Sequence, residues 1–463
     1  NTRATSVNLS TASAEYVLTL RVASVRTMKD VTVIILPYVV LLAMILIAWP
    51  TTTWATLRAD LTHVDSGRGF TKRELLSRMA ARSTARAASL ARAATAPVAR
   101  GTTGKEDINS EYLVHLGVGT PSPQGVALVL DTGSDLTWTQ CACTACYKQP
   151  FPVFDPSASR TLGVVSCTDP ICSARGGLPL SACSVKGNQC RYGYSYGDKS
   201  FTIGTVVEDT FTFSGSAAAV PSLRFGCGMN NSLTSTEASG IAGFGRGPLS
   251  LPSQLNAAVF SYCFTTIVEP GSSPVFLGTQ DSLGDDAQST PFAPTPARGG
   301  TSSFYYLSLH GVTVGETLMP LNDASESADG SGGAPIIDSG TSITMFPQAV
   351  FQSIREAFVS QVPLPVADAS ETGGLLCFST ADPKNVAVPK LVFHLEGADW
   401  DIPRQNYVLD VDDDDGALLC VVMLSAGDHD MTIIGNFQQQ NTHIVYDLQA
   451  NKMVFAPASC DQL

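Results

Sequence analysis

Residues 129–134, VLDTGS, return as IIDSGT at residues 336–341, so that Asp131 and Asp338 lie 207 positions apart. Each copy ends an apolar run, and each is followed downstream by two apolar residues and a glycine: Ile241, Ala242 and Gly243 in the first half, Ile433, Ile434 and Gly435 in the second. A single Asp-Thr-Gly reads as a turn. Two copies with the same downstream partner read as an internal repeat, hence two homologous lobes. Around them the sequence has β texture. In EYLVHLGVG (111–119) Tyr112, Val114, Leu116 and Val118 alternate onto one face, GVALVL (125–130) is a short apolar run, and FYYLSLHGVTV (304–314) resembles the first of these. The expected fold is mainly all-β and bilobal, with a cleft between the lobes. One helix is expected after Pro347, where Val350, Ile354 and Phe358 recur at helical spacing beside Phe351. The loop-rich stretch 279–303 is the expected connection between the lobes.

The repeated tetrapeptide carries chemistry. An apolar strand delivers the carboxylate; Gly133 and Gly340 permit close backbone approach; and Thr132, Ser134, Ser339 and Thr341 supply local hydrogen bonds that hold the acid still. Brought together across a two-fold axis, Asp131 and Asp338 would share one proton, because two like charges in a partly dry cleft repel. The ionised acid can then take a proton from water while its protonated partner donates to a carbonyl oxygen, which is the chemistry of amide hydrolysis. Thr132 and Ser339 are expected to bond across the axis to neighbouring backbone.

The 463 residues carry a formal charge of −13, unevenly spread: residues 51–105 hold ten Lys/Arg against three Asp/Glu, and residues 106–463 hold 14 against 36. An acidic body of this kind lacks the basic footprint of a nucleic-acid binder, and no nucleic-acid partner is expected. Twelve cysteines, Cys141, Cys143, Cys146, Cys167, Cys172, Cys183, Cys190, Cys227, Cys263, Cys377, Cys420 and Cys460, suit disulfides in an oxidising compartment. Seven fall between 141 and 190. Seven is odd, so full pairing requires a bridge that leaves this segment. Zinc is the competing reading of Cys141, Cys143 and Cys146, but no His lies near them, and neither metal nor cofactor is expected.

Ahead of the body, residues 31–49 (VTVIILPYVVLLAMILIAW) are uncharged and follow Arg26 and Lys29, the order of a secretory signal. Residues 1–27 are read as a non-native or upstream extension, not as structure. Residues 28–53 are read as a signal peptide, with a signal anchor as the alternative. Residues 54–106 are read as a basic propeptide, with a disordered linker as the alternative. Within 57–94, Leu75, Leu76 and Met79 lie at helical spacing beside Arg78, Arg82 and Arg86, so a basic amphipathic helix is expected, able to cover an acidic cleft. Residues 107–290 form the expected N-terminal lobe, with a Cys-rich insertion at 141–190, and 291–463 the C-terminal lobe.

From about Glu111 to Cys460 the chain resembles the pepsin-like aspartic proteases, and more closely their nepenthesin-type plant branch. The resemblance rests on YLVHLGVGTP, VLDTGSDLTW, the cysteine cluster from Cys141, YSYGD, FGCG, GFGRGPLSLPSQL, FSYCF, FYYLSLHGVTVG, IIDSGT and IIGNFQQQNTHIVYD, in that order. It implies a bilobal β fold, a flap hairpin over the cleft, sensitivity to statine-type peptides and synthesis as a proenzyme. It places the flap tyrosine at Tyr196 and a supporting indole at Trp138. The first three cysteines depart from the branch's common C-x-x-C-x-x-C by one residue. The saposin-like insertion of another plant branch is absent, and no apolar tail follows Cys460 that would suit a glycolipid anchor.

The expectation is a secreted, extracellular (apoplastic) aspartic endopeptidase, monomeric, acting on protein or peptide substrates at acid pH, without stable membrane association once the signal is removed. The competing reading is a catalytically silent pepsin-like binding or inhibitor protein. Relatives of that kind usually lack an active-site Asp or its Gly, whereas Asp131, Gly133, Asp338 and Gly340 are all present here. Asp412 to Asp415 reads as a solvated hairpin tip, and Asn230-Asn231-Ser232 as a glycosylation triplet.

Overall fold

The computed structural model describes residues 7–11, 14–18, 56–93 and 112–463, apart from 174–176, 179, 185–186, 197–199, 215–217, 234–237, 269–270, 279–282, 285, 297–301, 322–332, 369–372, 414–415 and 428–430. The signal-like run 31–49 and the junction 94–111 lie outside the described residues. So does the tip of the acidic hairpin. No described helix is long and apolar enough to cross a membrane.

Two compact units divide the chain, residues 1–54 and 55–463. In the first, Val7–Thr11 and Ala14–Leu18 pair antiparallel as a two-stranded ribbon. This differs from the expectation that 1–27 carries no structure: Val, Leu, Thr and Tyr give both segments strand propensity.

The second unit is mostly β. A 15-stranded sheet runs through both halves of the sequence, joined by sheets of five, four and three strands. Tyr112–Val118 buries Tyr112, Val114, Leu116 and Val118 as the alternation requires, and pairs antiparallel with Gln124–Asp131. Gln124–Asp131 is buried from Val126 onward on both faces, which is why its apolar run is uninterrupted. The later run 304–314 is not one strand. Tyr305–Tyr306 pairs with Ile336 and Ile337, and Leu309–Val314 pairs with Thr317–Pro320 and Leu391–Leu395 in another sheet. The connection 279–303 contains a strand of its own, Gln288–Pro291, paired with Lys452–Pro457. The helix after Pro347 is Gln348–Gln361, with Ile354 and Phe358 buried and Val350 and Phe351 against the core.

The basic segment begins as a strand, where the charge pattern suggests only a helix. Leu57, Ala59, Leu61 and His63 alternate inward, and Leu57–His63 inserts between Ser272–Leu277 and Tyr112–Val118, antiparallel to both. Its alternation of apolar and polar side chains is the period-two pattern of a half-buried strand. The helix Lys72–Ala93 follows, burying Leu75, Leu76, Met79, Ala80 and Ala87.

Six disulfides join Cys141 to Cys227, Cys143 to Cys146, Cys167 to Cys183, Cys172 to Cys190, Cys263 to Cys460 and Cys377 to Cys420. Cys141 makes the bridge that leaves the seven-cysteine segment, and Cys263–Cys460 ties the two halves together.

Candidate active site

Asp131 ends the strand Gln124–Asp131, and Asp338 directly follows the strand Gly333–Ile337. The apolar-apolar-Gly triplets lie parallel beside them: Ile241 opposite Val129 and Gly243 opposite Asp131, Ile433 opposite Ile336 and Ile434 opposite Ile337. A second antiparallel partner closes each arrangement, Trp138–Ala145 on one side and Thr344–Phe346 on the other. The chain thus builds the same local structure twice.

Both carboxylates are almost wholly buried, 1% and 0% exposed, and each is held by its own tetrapeptide. The Gly133 N–H donates to Asp131 Oδ1 at 3.0 Å and the Ser134 hydroxyl to Oδ2 at 2.5 Å. The Gly340 N–H donates to Asp338 Oδ1 at 2.9 Å and the Thr341 hydroxyl to Oδ2 at 2.7 Å. The two cradles face each other so closely that the glycines are obligatory. A Cβ on Gly133 would lie 2.7 Å from Asp338 Oδ1, and one on Gly340 would overlap Asp131 Oδ1.

Thr132 and Ser339 cross-link the cradles. The Thr132 N–H donates to Ser339 Oγ and the Ser339 N–H to Thr132 Oγ1, while the Ser339 hydroxyl donates to the Leu130 carbonyl. The Asp338 carboxyl is pushed above its ordinary value, first by burial; the Arg86 guanidinium opposes the shift and the Asp131 charge adds to it.

Arg86, on the basic helix, lies between the two acids. Its Nη2 is 2.7 Å from Asp131 Oδ1 and its Nε 3.2 Å from Asp338 Oδ2. The same helix is fastened along its length. The Ile343 N–H donates to Ser83 Oγ at 2.8 Å, Arg82 pairs with the buried Asp65 at 2.8 Å, and Arg78 pairs with Asp65 at 3.2 Å. At its start, Lys72 donates to the Asp410 carbonyl and Arg73 to the Gly416 carbonyl. The strands Val408–Asp413 and Gly416–Val421 therefore receive the positive helix through backbone oxygens. The spacing of Arg78, Arg82 and Arg86, four residues apart, is a signal for one helical face; which carboxylate each would meet has no signature in the sequence.

Trp138 and Tyr196 meet beside this centre. Trp138 Nε1 donates to the Tyr196 hydroxyl at 2.9 Å, and both belong to the core cluster beneath the Cys-rich segment. Tyr196 follows the strand Gln189–Ser195, which pairs with Phe201–Phe213, and its N–H donates to the Ser200 carbonyl across the hairpin end. Asn230 is exposed, while the adjacent Asn231 is buried, accepting from Thr202 and donating to Gly228. Among the described residues no group of His, Cys, Asp and Glu is arranged to hold a metal ion.

Sequence reasoning passed over Asp135, four residues beyond Asp131 and 5% exposed. Its carboxylate accepts from the Gly247 N–H at 2.8 Å and from the Ser303 hydroxyl at 2.5 Å. Burial raises its pKa and these two hydrogen bonds oppose the rise.

Known proteins resemble this chain over most of its length. Residues 112–279 match the family model described as xylanase inhibitor N-terminal, and 304–457 the one described as xylanase inhibitor C-terminal. The chain is 39% identical over 407 residues to aspartic proteinase nepenthesin-1 of Nepenthes gracilis, across 86% of this chain and 89% of that protein. It is 36% identical to nepenthesin-2 of the same plant, across 87% and 90%. Among solved structures, the aspartic proteinase from Irpex lacteus superposes with a TM-score of 0.54 at 18% identity, over 76% of this chain and 95% of that one. The chain belongs to the pepsin-like aspartic proteases, in their nepenthesin-type plant branch, and is an aspartic-type endopeptidase.

Proposed function

We propose that this is a secreted acid endopeptidase, made as a latent precursor, that hydrolyses peptide bonds with water activated between Asp131 and Asp338. The observation that carries the reading is the pair of mirrored cradles, which present two buried carboxylates to one point, a point that Arg86 occupies. With Arg86 withdrawn, burial and the neighbouring charge both favour a proton on Asp338, so the pair holds one proton at acid pH. The ionised acid takes a proton from water as its oxygen attacks the peptide carbon, and the protonated acid donates to the carbonyl oxygen. The carbon–nitrogen bond then breaks as the nitrogen takes a proton, and the carbonyl re-forms. Thr132 and Ser339 hold the two acids at fixed separation, and Gly133 and Gly340 leave room between them. Tyr196, supported by Trp138, stands where a flap would cover bound peptide and exclude water.

The segment from Leu57 to Ala93 acts as the propeptide in this reading. It contributes a strand to the central sheet and fills the cleft with Arg86, so no peptide reaches the acids until it leaves. The aspartic proteinase relatives support peptide or protein as substrate, and six disulfides support an oxidising, extracytoplasmic setting. The test is cleavage of a denatured protein at acid pH by acid-matured material, with and without a statine-type inhibitor. Inhibitor-sensitive cleavage is expected. Its absence from folded, matured protein would refute the reading and leave a silent binding protein of the same fold.

A further inference from the structure

The two halves of the site are not fully symmetric. The first runs Asp131, Thr132, Gly133, Ser134, Asp135 and the second Asp338, Ser339, Gly340, Thr341, Ser342. Thus a buried carboxylate in one half stands where the other has a hydroxyl. The downstream turns differ to match. Gly243, Phe244, Gly245, Arg246 and Gly247 stand where the second half has Gly435, Asn436, Phe437, Gln438 and Gln439.

The glycines of the first turn are shaped around Asp135. A Cβ on Gly243 would overlap the Asp135 backbone, and one on Gly245 or Gly247 would overlap its carboxylate. Three further contacts converge there. Gly247 N–H and the Ser303 hydroxyl each donate to the carboxylate, and Gly245 N–H donates to the Ser134 carbonyl at 2.8 Å. Ser303 lies in the connection between the halves, whose position is reinforced by Arg246 N–H donating to the Ser303 carbonyl.

We infer that Asp135 is a positioning residue for catalysis, a buried acceptor that locks the Asp131 loop to the 243–247 turn and to the connection between the lobes. It touches neither substrate nor the reacting oxygens. Its effect runs through Ser134, whose hydroxyl holds Asp131 and whose carbonyl is held by Gly245. Loss of the lock lets the Asp131 cradle drift from Asp338, and misplacement of a reacting group by about 1 Å can cost a hundredfold in rate. The inference rests on the paired-acid reading above.

The test compares acid-matured wild type with Asp135→Ser, which installs the second half's residue, with Asp135→Asn and with Ser303→Ala. Active sites are counted by statine-type inhibitor titration, so that rates refer to folded enzyme. Asp135→Ser is expected to lower kcat about tenfold or more with KM within about twofold, because the ground-state peptide contacts are untouched. Its bell-shaped pH profile should narrow, since carboxylates that move apart interact less and their two apparent pKa values approach each other. Asp135→Asn keeps an acceptor for Gly247 and is expected to recover most of the loss; Ser303→Ala should fall in the same direction by a smaller factor. An Asp135→Ser enzyme with wild-type kcat and profile width overturns the inference. Should that variant not fold, unchanged kcat and profile width in Ser303→Ala overturns it. An inactive wild type would instead refute the paired-acid reading.

Discussion

Thr132 and Ser339 exchange hydrogen bonds between the two cradles: the N–H of each donates to the hydroxyl oxygen of the other, at 3.0 Å and 2.9 Å. Each hydroxyl then donates onward, Ser339 to Leu130 at 2.8 Å and Thr132 to Ile337 at 3.4 Å. Both residues are fully buried, so neither N–H has water as a substitute. Thr132→Val preserves shape but leaves the Ser339 N–H without its acceptor, which costs roughly 1–3 kcal/mol. Ser339→Ala should cost a similar amount. Each variant removes one bond of the reciprocal pair and loosens the contact that holds the other, so the double variant should lose clearly less than the sum of the two in urea unfolding. Additive losses would show that the two residues are not coupled.

Asp131→Asn and Asp338→Asn should each abolish peptidase activity while leaving secretion and the far-UV spectrum intact. An amide neither takes a proton from water nor completes the one-proton pair. The double variant should be no worse than either single one, since the acids act as a unit. Tyr196→Ala differs in kind: it loses coverage of the substrate, not a proton carrier, and should retain measurable turnover. Near-normal cleavage by purified Asp338→Asn would refute the paired mechanism.

Arg86→Gln in the unprocessed chain should uncover the cleft without acid. Removing one partner from a buried ion pair costs about 3–5 kcal/mol, and here one guanidinium serves two carboxylates at 11% side-chain exposure. That is a hundredfold or larger change in the ratio of covered to open protein. Statine-type inhibitor binding to the unprocessed variant reads it directly, and binding no tighter than to the unprocessed parent chain would contradict the role given to Arg86. In the parent chain, acidification should yield a new N-terminus between about Ala94 and Ser110, found by mass spectrometry.

What the sequence discloses and what it withholds divide along the range of the interactions involved. Asp131 and Asp338 were legible because the repeat encodes the same strand, cradle and glycine twice, and the helix Gln348–Gln361 because its apolar spacing is local. Leu57–His63 was obscured by the charge pattern around it, although its alternation is a strand's. The partners of Arg82 and Arg86 were not legible, because nothing within a few residues distinguishes an arginine that meets Asp65 from one that meets Asp131. Asp135 was passed over for a related reason. Its meaning lies in Gly245, Gly247 and Ser303, more than a hundred residues away, and in the contrast with Ser342.

Reduction should loosen the first half before the second. Four disulfides lie within 141–227, the short loops 167–183 and 172–190 among them, while Cys377–Cys420 alone lies within the second half. Leu180, Ser181, Ala182 and Cys183 are exposed around these bridges, so little core replaces a lost cross-link. Graded reduction with thiol labelling and peptide mapping should find Cys167, Cys172, Cys183 and Cys190 labelled before Cys377 and Cys420. Unreduced protein, once denatured, should show no more than one free thiol.

His63 should make the covering segment let go as pH falls. It closes the strand Leu57–His63, buried with its ring edge-on to Tyr112 at 5.1 Å, and its Nδ1 accepts from the Asp65 N–H at 3.2 Å. Burial lowers its pKa from 6.5 to about 3; the Asp65 charge opposes this and the Arg82 charge adds to it. Arg78 also faces Asp65. A histidine that stays neutral when docked but takes a proton when released binds more protons in the released state throughout the interval between those two values. Stability of the docked segment is therefore full above about pH 6.5 and declines as pH drops toward 3. Protonation also places a donor against the Asp65 N–H and a second positive charge beside Arg82. His63→Phe keeps the aromatic contact and removes the titration, so its segment should release at lower pH than wild type. Limited proteolysis of residues 57–93 between pH 3 and 7, with Asp131→Asn in both backgrounds to prevent self-cleavage, measures the midpoint. Equal midpoints for His63 and Phe at this position would rule the histidine out as a contributor to acid release.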